Sequence, residues 1–158
     1  MLGAKETPAR FCDVVRETDV HLHLVSDSQP DVLRELVASL GLGAEDCASV
    51  LKIVQRRESM GSTGVGHGVA VPHCRTLLVD RLHVVFGRQP LGVAWCGADG
   101  EPVRFFFLLV APPPEVSNDY LPMLGKVARF ANDPDTRRRL GEIRTREEFF
   151  QLIAAAGL

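Results

Sequence analysis

Gly61-Ser62-Thr63-Gly64-Val65-Gly66-His67-Gly68-Val69-Ala70-Val71-Pro72-His73 joins a glycine-rich loop to an apolar stretch that ends on a histidine. Glycine adopts positive φ angles without a Cβ clash, so such a loop can turn several backbone N–H groups toward one anion. Pro72 donates no ladder hydrogen bond, and we therefore expect a strand that terminates near His73. The segment predicts an imidazole held beside an oxyanion pocket.

Length and composition predict one ordinary globular domain. The chain has 158 residues, of which 46% are hydrophobic and 24% are charged, and a domain of this length buries roughly two thirds of its unfolded surface. We expect a single domain over residues 1–158, with a flexible polar stretch at residues 1–10. The net charge of −2 argues against a nucleic-acid binder, which normally carries a basic excess. Proteins or small anions are the expected partners.

The cysteines and the hydropathy pattern predict a cytoplasmic protein. The four cysteines are widely spaced and form no CxxC pair, which argues against a zinc ribbon or a redox dithiol. Free thiols fit a reducing compartment. The longest apolar run, residues 105–111, is far too short to cross a bilayer, so no direct membrane insertion is expected. No metal and no cofactor is expected either.

Hydrophobic periodicity predicts that strands and helices alternate along the chain. Besides the segment that ends at His73, strands are predicted over residues 19–25, 82–89 and 103–111. Helices are predicted after Ser28, from Ala44, from Asn118, through residues 137–139 and from Thr145 to Ala156. A turn over residues 98–101 and a break over residues 112–114 punctuate the second half. This order is typical of an α/β sandwich.

Three functions compete for the glycine loop. A nucleotide P-loop needs a lysine followed by serine or threonine, but Val69, Ala70 and Val71 stand there. A dinucleotide fingerprint follows a strand and opens a helix, whereas this loop follows a helix and opens a strand. The third is phosphoryl transfer to His73, with the loop amides holding the phosphoryl oxygens. A purely structural turn remains the alternative to an anion site.

Transfer to His73 has two chemical requirements. One ring nitrogen must be unprotonated, while the other donates to an acceptor that fixes the ring. Preorganised donors must also meet the charge of the phosphoryl group, and the nearest candidates in sequence are Arg57, Arg75, Ser62 and Thr63. We favour Arg57, because it ends the helix that leads into the loop. Its alternative role is a cation that complements the helix macrodipole.

These residues resemble the enzyme IIA domain of the bacterial phosphoenolpyruvate:sugar phosphotransferase system, fructose/mannitol type, and in particular its nitrogen-regulatory members. The similarity centres on Arg57-Glu58, the glycine run and residues 68–73, and it continues through Asp99-Gly100-Glu101-Pro102-Val103 and residues 105–112. The resemblance implies a cytoplasmic phosphocarrier whose His73 accepts a phosphoryl group from an HPr-like protein. It also implies the mannitol-type IIA fold, here a mixed central sheet of about five strands flanked by helices.

The resemblance and the loop chemistry together assign the site residues. His73 is the phosphoryl acceptor, and Arg57 is its charge partner. The residues assigned to phosphate binding are Ser62, Thr63, Gly64, Gly66 and Gly68.

Two positions depart from the family pattern. The family usually carries a second histidine at the head of the helix after the apolar strand, and Tyr120 stands there. Tyrosine donates a hydrogen bond but is neutral at pH 7, so we expect phosphoryl stabilisation or onward transfer to be altered. His67 stands where relatives often have asparagine or an acid. It either contacts the phosphoryl group or faces solvent, and we favour solvent.

Several alternatives stay open for the function. No IIB or membrane IIC segment accompanies the domain, which favours a stand-alone regulatory carrier acting on regulatory protein targets. A sugar-specific subunit that passes phosphate to a IIB domain is the first alternative. A binding module with impaired transfer, because of Tyr120, is the second. A metal or thiol site at His67, His73 and Cys74 is disfavoured, because adjacent strand residues point to opposite faces.

Overall fold

The structure, a computed structural model, describes residues 7–97 and 99–158. The helices are α1 (Phe11–Val14), α2 (Gln29–Ala38), α3 (Ala44–Ser59), α4 (Tyr120–Asn132), α5 (Pro134–Glu142) and α6 (Arg146–Ala155). The strands are β1 (Val20–His21), β2 (Gly64–Gly66), β3 (Val69–Ala70), β4 (His73–Arg75), β5 (His83–Val93) and β6 (Val103–Ala111). A single 3-10 turn, Glu17–Asp19, precedes β1.

Within the described residues the strands form one mixed sheet of six, where about five were predicted. The order is β1-β5-β6-β3-β2, and β4 continues along β6 beyond β3. β5 and β6 are antiparallel, β1 is parallel to β5, and β3 and β4 are both parallel to β6. The difference arises because the glycine loop itself contains β2, which pairs with β3 as a hairpin.

His73 begins a strand, which corrects the prediction that it ends one. Pairing along β6 is interrupted at Val71-Pro72 and resumes at His73, which lies opposite Leu109. Proline has no N–H to give to the ladder, but the Pro72 carbonyl still accepts the Leu109 N–H at 3.0 Å. The chain therefore stays close to β6 across the break.

Two apolar cores lie on opposite faces of the sheet. Alternate residues of β6 enter different cores: Phe105, Phe107 and Leu109 pack with α1, α4, α5 and α6, while Phe106, Leu108 and Val110 pack with α2 and α3. Side chains of a strand point alternately to its two faces. The predicted apolar strand over residues 103–111 is thus the covered centre of the sheet.

The predicted strand over residues 19–25 is much shorter than expected. Only Val20–His21 pairs as a strand. Beyond His21, buried side chains of β5 donate hydrogen bonds to the backbone carbonyls of this segment. Arg88 donates from Nε to the Leu22 carbonyl at 3.0 Å, and Gln89 donates from Nε2 to the Leu24 carbonyl at 3.0 Å. Side-chain donors thus bond the Leu22 and Leu24 carbonyls, while the Leu24 N–H still donates to the Arg88 carbonyl at 2.9 Å.

The predicted helices are all present. Ser28 caps α2 and Thr145 caps α6 through their side-chain oxygens, as N-cap residues do. None of the helices over residues 7–97 and 99–158 is both long and apolar enough to cross a membrane. The predicted turn at 98–101 includes Ala98, which lies outside the described residues, as does most of the predicted flexible stretch 1–10.

Candidate functional site

The His73 side chain is partly exposed at the start of β4. Its Nδ1 lies 2.8 Å from the Val71 carbonyl oxygen. A carbonyl only accepts hydrogen bonds, so Nδ1 carries the proton in the neutral ring and Nε2 keeps its lone pair. The backbone therefore orients His73 with Nε2 as the nucleophilic nitrogen.

Tyr120, the first residue of α4, is the aromatic neighbour of His73. The two ring centroids are 5.9 Å apart, and Tyr120 is only 7% exposed. The structure thus brings together the histidine and the tyrosine that the family pattern singled out, although they lie far apart in sequence.

A cation also contacts the Tyr120 ring. Arg75 places its Cζ 4.4 Å from the ring centroid and donates from Nη1 to the Pro112 carbonyl at 3.0 Å. Burial raises the pKa of the Tyr120 hydroxyl, and the positive charges of Arg75 and Arg57 oppose that rise without cancelling it. Tyr120 is therefore a neutral phenol at neutral pH, with the Arg75 guanidinium on its ring.

Arg57 lies at the carboxyl end of α3, as expected from the sequence. Its Nη1 donates to the Gly61 carbonyl at 2.8 Å, so the side chain folds over the entry to the glycine loop. The guanidinium also lies near enough to Tyr120 to act on its pKa. Arg57 thus contacts the loop at the end of α3, and its charge acts on Tyr120, the neighbour of His73.

Glu58 organises the loop, and sequence reasoning did not assign it a role. Its carboxylate accepts the Thr63 N–H at 2.9 Å, the Thr63 hydroxyl at 2.5 Å and the Trp95 indole N–H at 2.8 Å. The donors of Thr63 are therefore engaged with Glu58. The sequence signal that pointed to Glu58 was its place next to Arg57 in the residues that carry the family resemblance.

Gly64 is needed where the loop meets the segment after β5. A Cβ at this position would lie 2.7 Å from the Gly97 Cα, far closer than two non-bonded carbons can approach. The Gly64 N–H is bonded to the Ser62 hydroxyl at 3.1 Å. This end of the loop lies toward His73, because the Val71 N–H donates to the Thr63 carbonyl at 3.0 Å.

The other end of the loop lies away from His73. His67 and Gly68 form the turn between β2 and β3, with φ of 56° and 76°, as a two-residue hairpin with a primed turn requires. Val69 lies opposite Phe105 while His73 lies opposite Leu109, a separation of roughly 13 Å along the strand. The structure therefore does not bring Gly66, His67 or Gly68 to the histidine.

His67 has neighbours of its own at the turn. Its side chain is exposed, and its backbone N–H donates to the Asp99 carboxylate at 2.8 Å. Cys74 points into the core under α2 and α3, and burial raises its pKa to about 12. The structure thus does not bring the side chains of His67, His73 and Cys74 together, and the described residues contain no group of three or more His, Cys, Asp or Glu placed to hold a metal ion.

Comparison with known sequences identifies one protein family and several relatives. Residues 13–156 match the family model "Phosphoenolpyruvate-dependent sugar phosphotransferase system, EIIA 2". The chain is 29% identical to a nitrogen regulatory protein of Bradyrhizobium diazoefficiens, over 90% of this chain and 93% of the relative. It is 34% identical to that of Klebsiella oxytoca, over 80% and 77% respectively. It is 25% identical to a fructose-specific EIIABC component of Bacillus subtilis, over 91% of this chain but 23% of that protein.

Solved structures agree with the sequence comparison. The nitrogen regulatory protein IIA-Ntr of Neisseria meningitidis superposes with a TM-score of 0.77 at 26% identity, over 89% of this chain and 97% of the other. The mannitol IIA of Escherichia coli superposes with a TM-score of 0.70 at 19% identity, over 87% and 97%, which shows a common fold. The chain belongs to the EIIA 2 family of the phosphoenolpyruvate-dependent sugar phosphotransferase system.

Proposed function

We propose that this protein is a regulatory phosphocarrier in which His73 Nε2 accepts a phosphoryl group from a phosphohistidine on an HPr-like protein. The observation that carries the proposal is the 2.8 Å contact between His73 Nδ1 and the Val71 carbonyl. It holds the ring in the tautomer that leaves Nε2 free to attack. The cytoplasmic location predicted from the free cysteines stays a prediction.

The proposed transfer forms one P–N bond and breaks another. The Nε2 lone pair of His73 forms the new P–N bond as the P–N bond to the donor histidine breaks, and the donor ring keeps that electron pair. The His73 ring becomes positively charged while its Nδ1–H remains bonded to the Val71 carbonyl. Arg57, which is folded over the entry to the loop, is the cation that we assign to oppose the charge of the phosphoryl group.

Exposed apolar side chains that adjoin site residues in sequence support a protein partner. Leu121 follows Tyr120 in α4 and is 66% exposed, while Met60 lies three positions after Arg57 and is 74% exposed. Exposed apolar side chains of this size are typical of surfaces that associate with other proteins. We infer that an HPr-like donor and a downstream regulatory target use this surface in turn. Phosphorylation would change their relative affinities by adding a group of about two negative charges.

Relatives of two kinds motivate a second candidate function. The nitrogen regulatory relatives of Bradyrhizobium diazoefficiens and Klebsiella oxytoca are covered over 93% and 77% of their lengths, whereas the fructose-specific relative is covered over only 23%. The first group favours regulation. The second supports the alternative, in which the chain passes its phosphoryl group to a IIB domain.

The test is phosphorylation by an HPr-like protein. Incubating the chain with a phosphorylated donor is expected to add one acid-labile phosphoryl group, which ³¹P NMR should assign to Nε2. His73→Ala should abolish this phosphorylation. His23→Ala, which removes an exposed histidine just after β1, should not. A chain that takes no phosphate from any cognate donor, or takes it equally in His73→Ala, would refute the proposal.

The same phosphorylated chain separates the two candidate functions. Rapid transfer from phospho-His73 to a IIB domain would favour the sugar-specific role. A change in protein binding between the phosphorylated and unphosphorylated chain, without such transfer, would favour regulation. Equal partner binding by the wild type and His73→Ala under phosphorylating conditions would instead favour a binding module that does not depend on transfer.

A further inference from the structure

Arg75 occupies the same face of the sheet as His73. The two residues are separated by one position in β4, and side chains two apart in a strand project to one face. Cys74 between them enters the core under α2 and α3. His73 and Arg75 instead both lie next to Tyr120 at the start of α4.

Two contacts hold the Arg75 guanidinium in place. Its Cζ lies 4.4 Å from the Tyr120 ring centroid, which is the geometry of a cation–π interaction. Its Nη1 donates to the Pro112 carbonyl at 3.0 Å. A guanidinium carries five N–H donors in a planar fork, so this anchoring uses one donor and leaves the others available.

Tyr120 cannot itself supply a positive charge. A phenol is neutral when protonated and negative when deprotonated, and burial raises the pKa of the Tyr120 hydroxyl, which favours the neutral form. What the ring does offer is an electron-rich face, and Arg75 lies on it. Tyr120 thus contributes by holding the Arg75 guanidinium in place.

We propose that Arg75, positioned by the ring of Tyr120, binds the phosphoryl group on His73 and supplies the cationic charge that a tyrosine at position 120 cannot. This inference rests on the proposed function. Arg75 transfers no proton and forms no covalent bond. Its free donors pair with phosphoryl oxygens, as guanidinium groups do with phosphate. Tyr120 is accordingly a positioning residue.

Arg57 and Arg75 have separable roles in this arrangement. The Arg57 guanidinium is bonded to the Gly61 carbonyl and belongs to the loop, whereas Arg75 is bonded beyond β6, at Pro112. The two cations therefore approach from different elements. Removing Arg75 is expected to leave the contact between Arg57 and the loop intact.

The experiment compares rates of phosphorylation of the full chain by a phosphorylated HPr-like protein. Arg75→Gln should slow acceptance by about tenfold to a hundredfold. Arg75→Lys should recover part of the rate, because an ammonium keeps the charge but not the planar fork. Arg81→Gln removes an exposed arginine from the loop before β5 and serves as the matched control, with an unchanged rate.

Tyr120 variants test the positioning role. Tyr120→Phe keeps the ring face and should stay within about twofold of the wild type, whereas Tyr120→Leu removes the face and should slow acceptance as Arg75→Gln does. The double variant Arg75→Gln/Tyr120→Leu should be no slower than either single variant, because both remove one interaction.

A spectroscopic readout separates charge from general structure. The phosphoryl group on His73 titrates in ³¹P NMR, and a neighbouring cation lowers its pKa by favouring the dianion. Arg75→Gln should therefore raise this pKa, and Arg81→Gln should not. A purely structural loss in Arg75→Gln would leave it unmoved.

The outcomes distinguish this inference from the function on which it rests. A wild-type chain that accepts no phosphoryl group overturns the proposed function and the role of Arg75 with it. A phosphorylated wild type with Arg75→Gln at the same rate and the same phosphoryl pKa overturns the role of Arg75 alone. If Arg75→Gln does not fold, Arg75→Lys and Tyr120→Leu decide, and wild-type rates in both would overturn the inference.

Discussion

Two oxygen acceptors set the orientation of His73 and the conformation of the glycine loop. The Val71 carbonyl orients the imidazole, and the Glu58 carboxylate joins the glycine loop to Trp95. The second is the more demanding arrangement, because three donors share one carboxylate. Charge-assisted hydrogen bonds of this kind are stronger than neutral ones.

Replacing Glu58 with glutamine should loosen the loop. An amide carries one acceptor oxygen in place of two, so at least one of the Thr63 and Trp95 donors loses its partner. We expect a loss of about 1.5 to 3 kcal/mol in the free energy of unfolding. Trp95 is the only tryptophan of the chain, so a shift of its fluorescence emission should report the change directly.

The control is Glu115→Gln, which makes the same chemical change at an exposed glutamate. It should alter neither the unfolding free energy nor the Trp95 emission. Equal emission spectra for Glu58→Gln and the wild type would contradict the proposed role of Glu58 in holding the loop.

Among the helices and strands, the interruption between β3 and β4 matters most for the site. It places His73 at the first position of a new strand, with Arg75 on the same face. The helices around the sheet depend instead on local caps. For α6, the Thr145 hydroxyl accepts the Glu148 N–H at 3.1 Å, and the helix buries Phe149, Leu152 and Ile153.

Removing the cap of α6 should therefore destabilise the domain. Thr145→Ala leaves the Glu148 N–H without its side-chain acceptor, and we expect the free energy of unfolding to fall by about 1 kcal/mol. Urea unfolding followed by circular dichroism measures the change. Thr145→Ser keeps the hydroxyl and should lie within about 0.5 kcal/mol of the wild type. An equal loss in both variants would show that the cap is not responsible.

Across the domain, one buried and two partly buried ionisable groups lie where β1, α2 and β5 meet. Asp19 is 1% exposed. Burial alone would raise the pKa of its carboxyl, but hydrogen bonds from Arg16 and Ser39 outweigh burial and lower that pKa. Burial lowers the pKa of His21 and of His83. All three groups bind protons less readily in the folded chain than in the unfolded one.

This pattern predicts that stability falls in two stages as the pH falls. Below about 6.5 the unfolded chain protonates the two histidines before the folded chain does, which favours unfolding. Below about 4 the unfolded chain also protonates Asp19 first, and the stability from its pairing with Arg16 is lost. Urea unfolding between about pH 8 and about pH 3 should show both stages.

Variants of these residues show which group causes each stage of the fall in stability. His21→Gln/His83→Gln should flatten the first stage and leave the second. Asp19→Asn should flatten the second, and it should also lower stability at neutral pH, because Arg16 loses its ion pair at 2.9 Å. An unchanged first stage in the double histidine variant would assign it to other groups.

Much of the candidate site could be predicted because its signals are local. His73 and Arg57 were predicted from the loop motif and Tyr120 from the family resemblance, and the structure places the Tyr120 ring beside His73. The role of Glu58 could not be predicted, since its partner Trp95 comes from another part of the chain. The phosphate-binding role of Gly66 and Gly68 stays a prediction, and the conformation of the hairpin turn already accounts for both glycines.

The sequence by itself determined the helices with their caps, the apolar central strand, the α/β class and the histidine, because periodicity, caps and motifs act over a few neighbouring residues. Only the tertiary structure decided that the loop is a hairpin, that β1 stops after His21 and that Arg75 lies on Tyr120. Those features depend on strand register and on which side chains meet across the sheet. Register is set by the packing of both faces together.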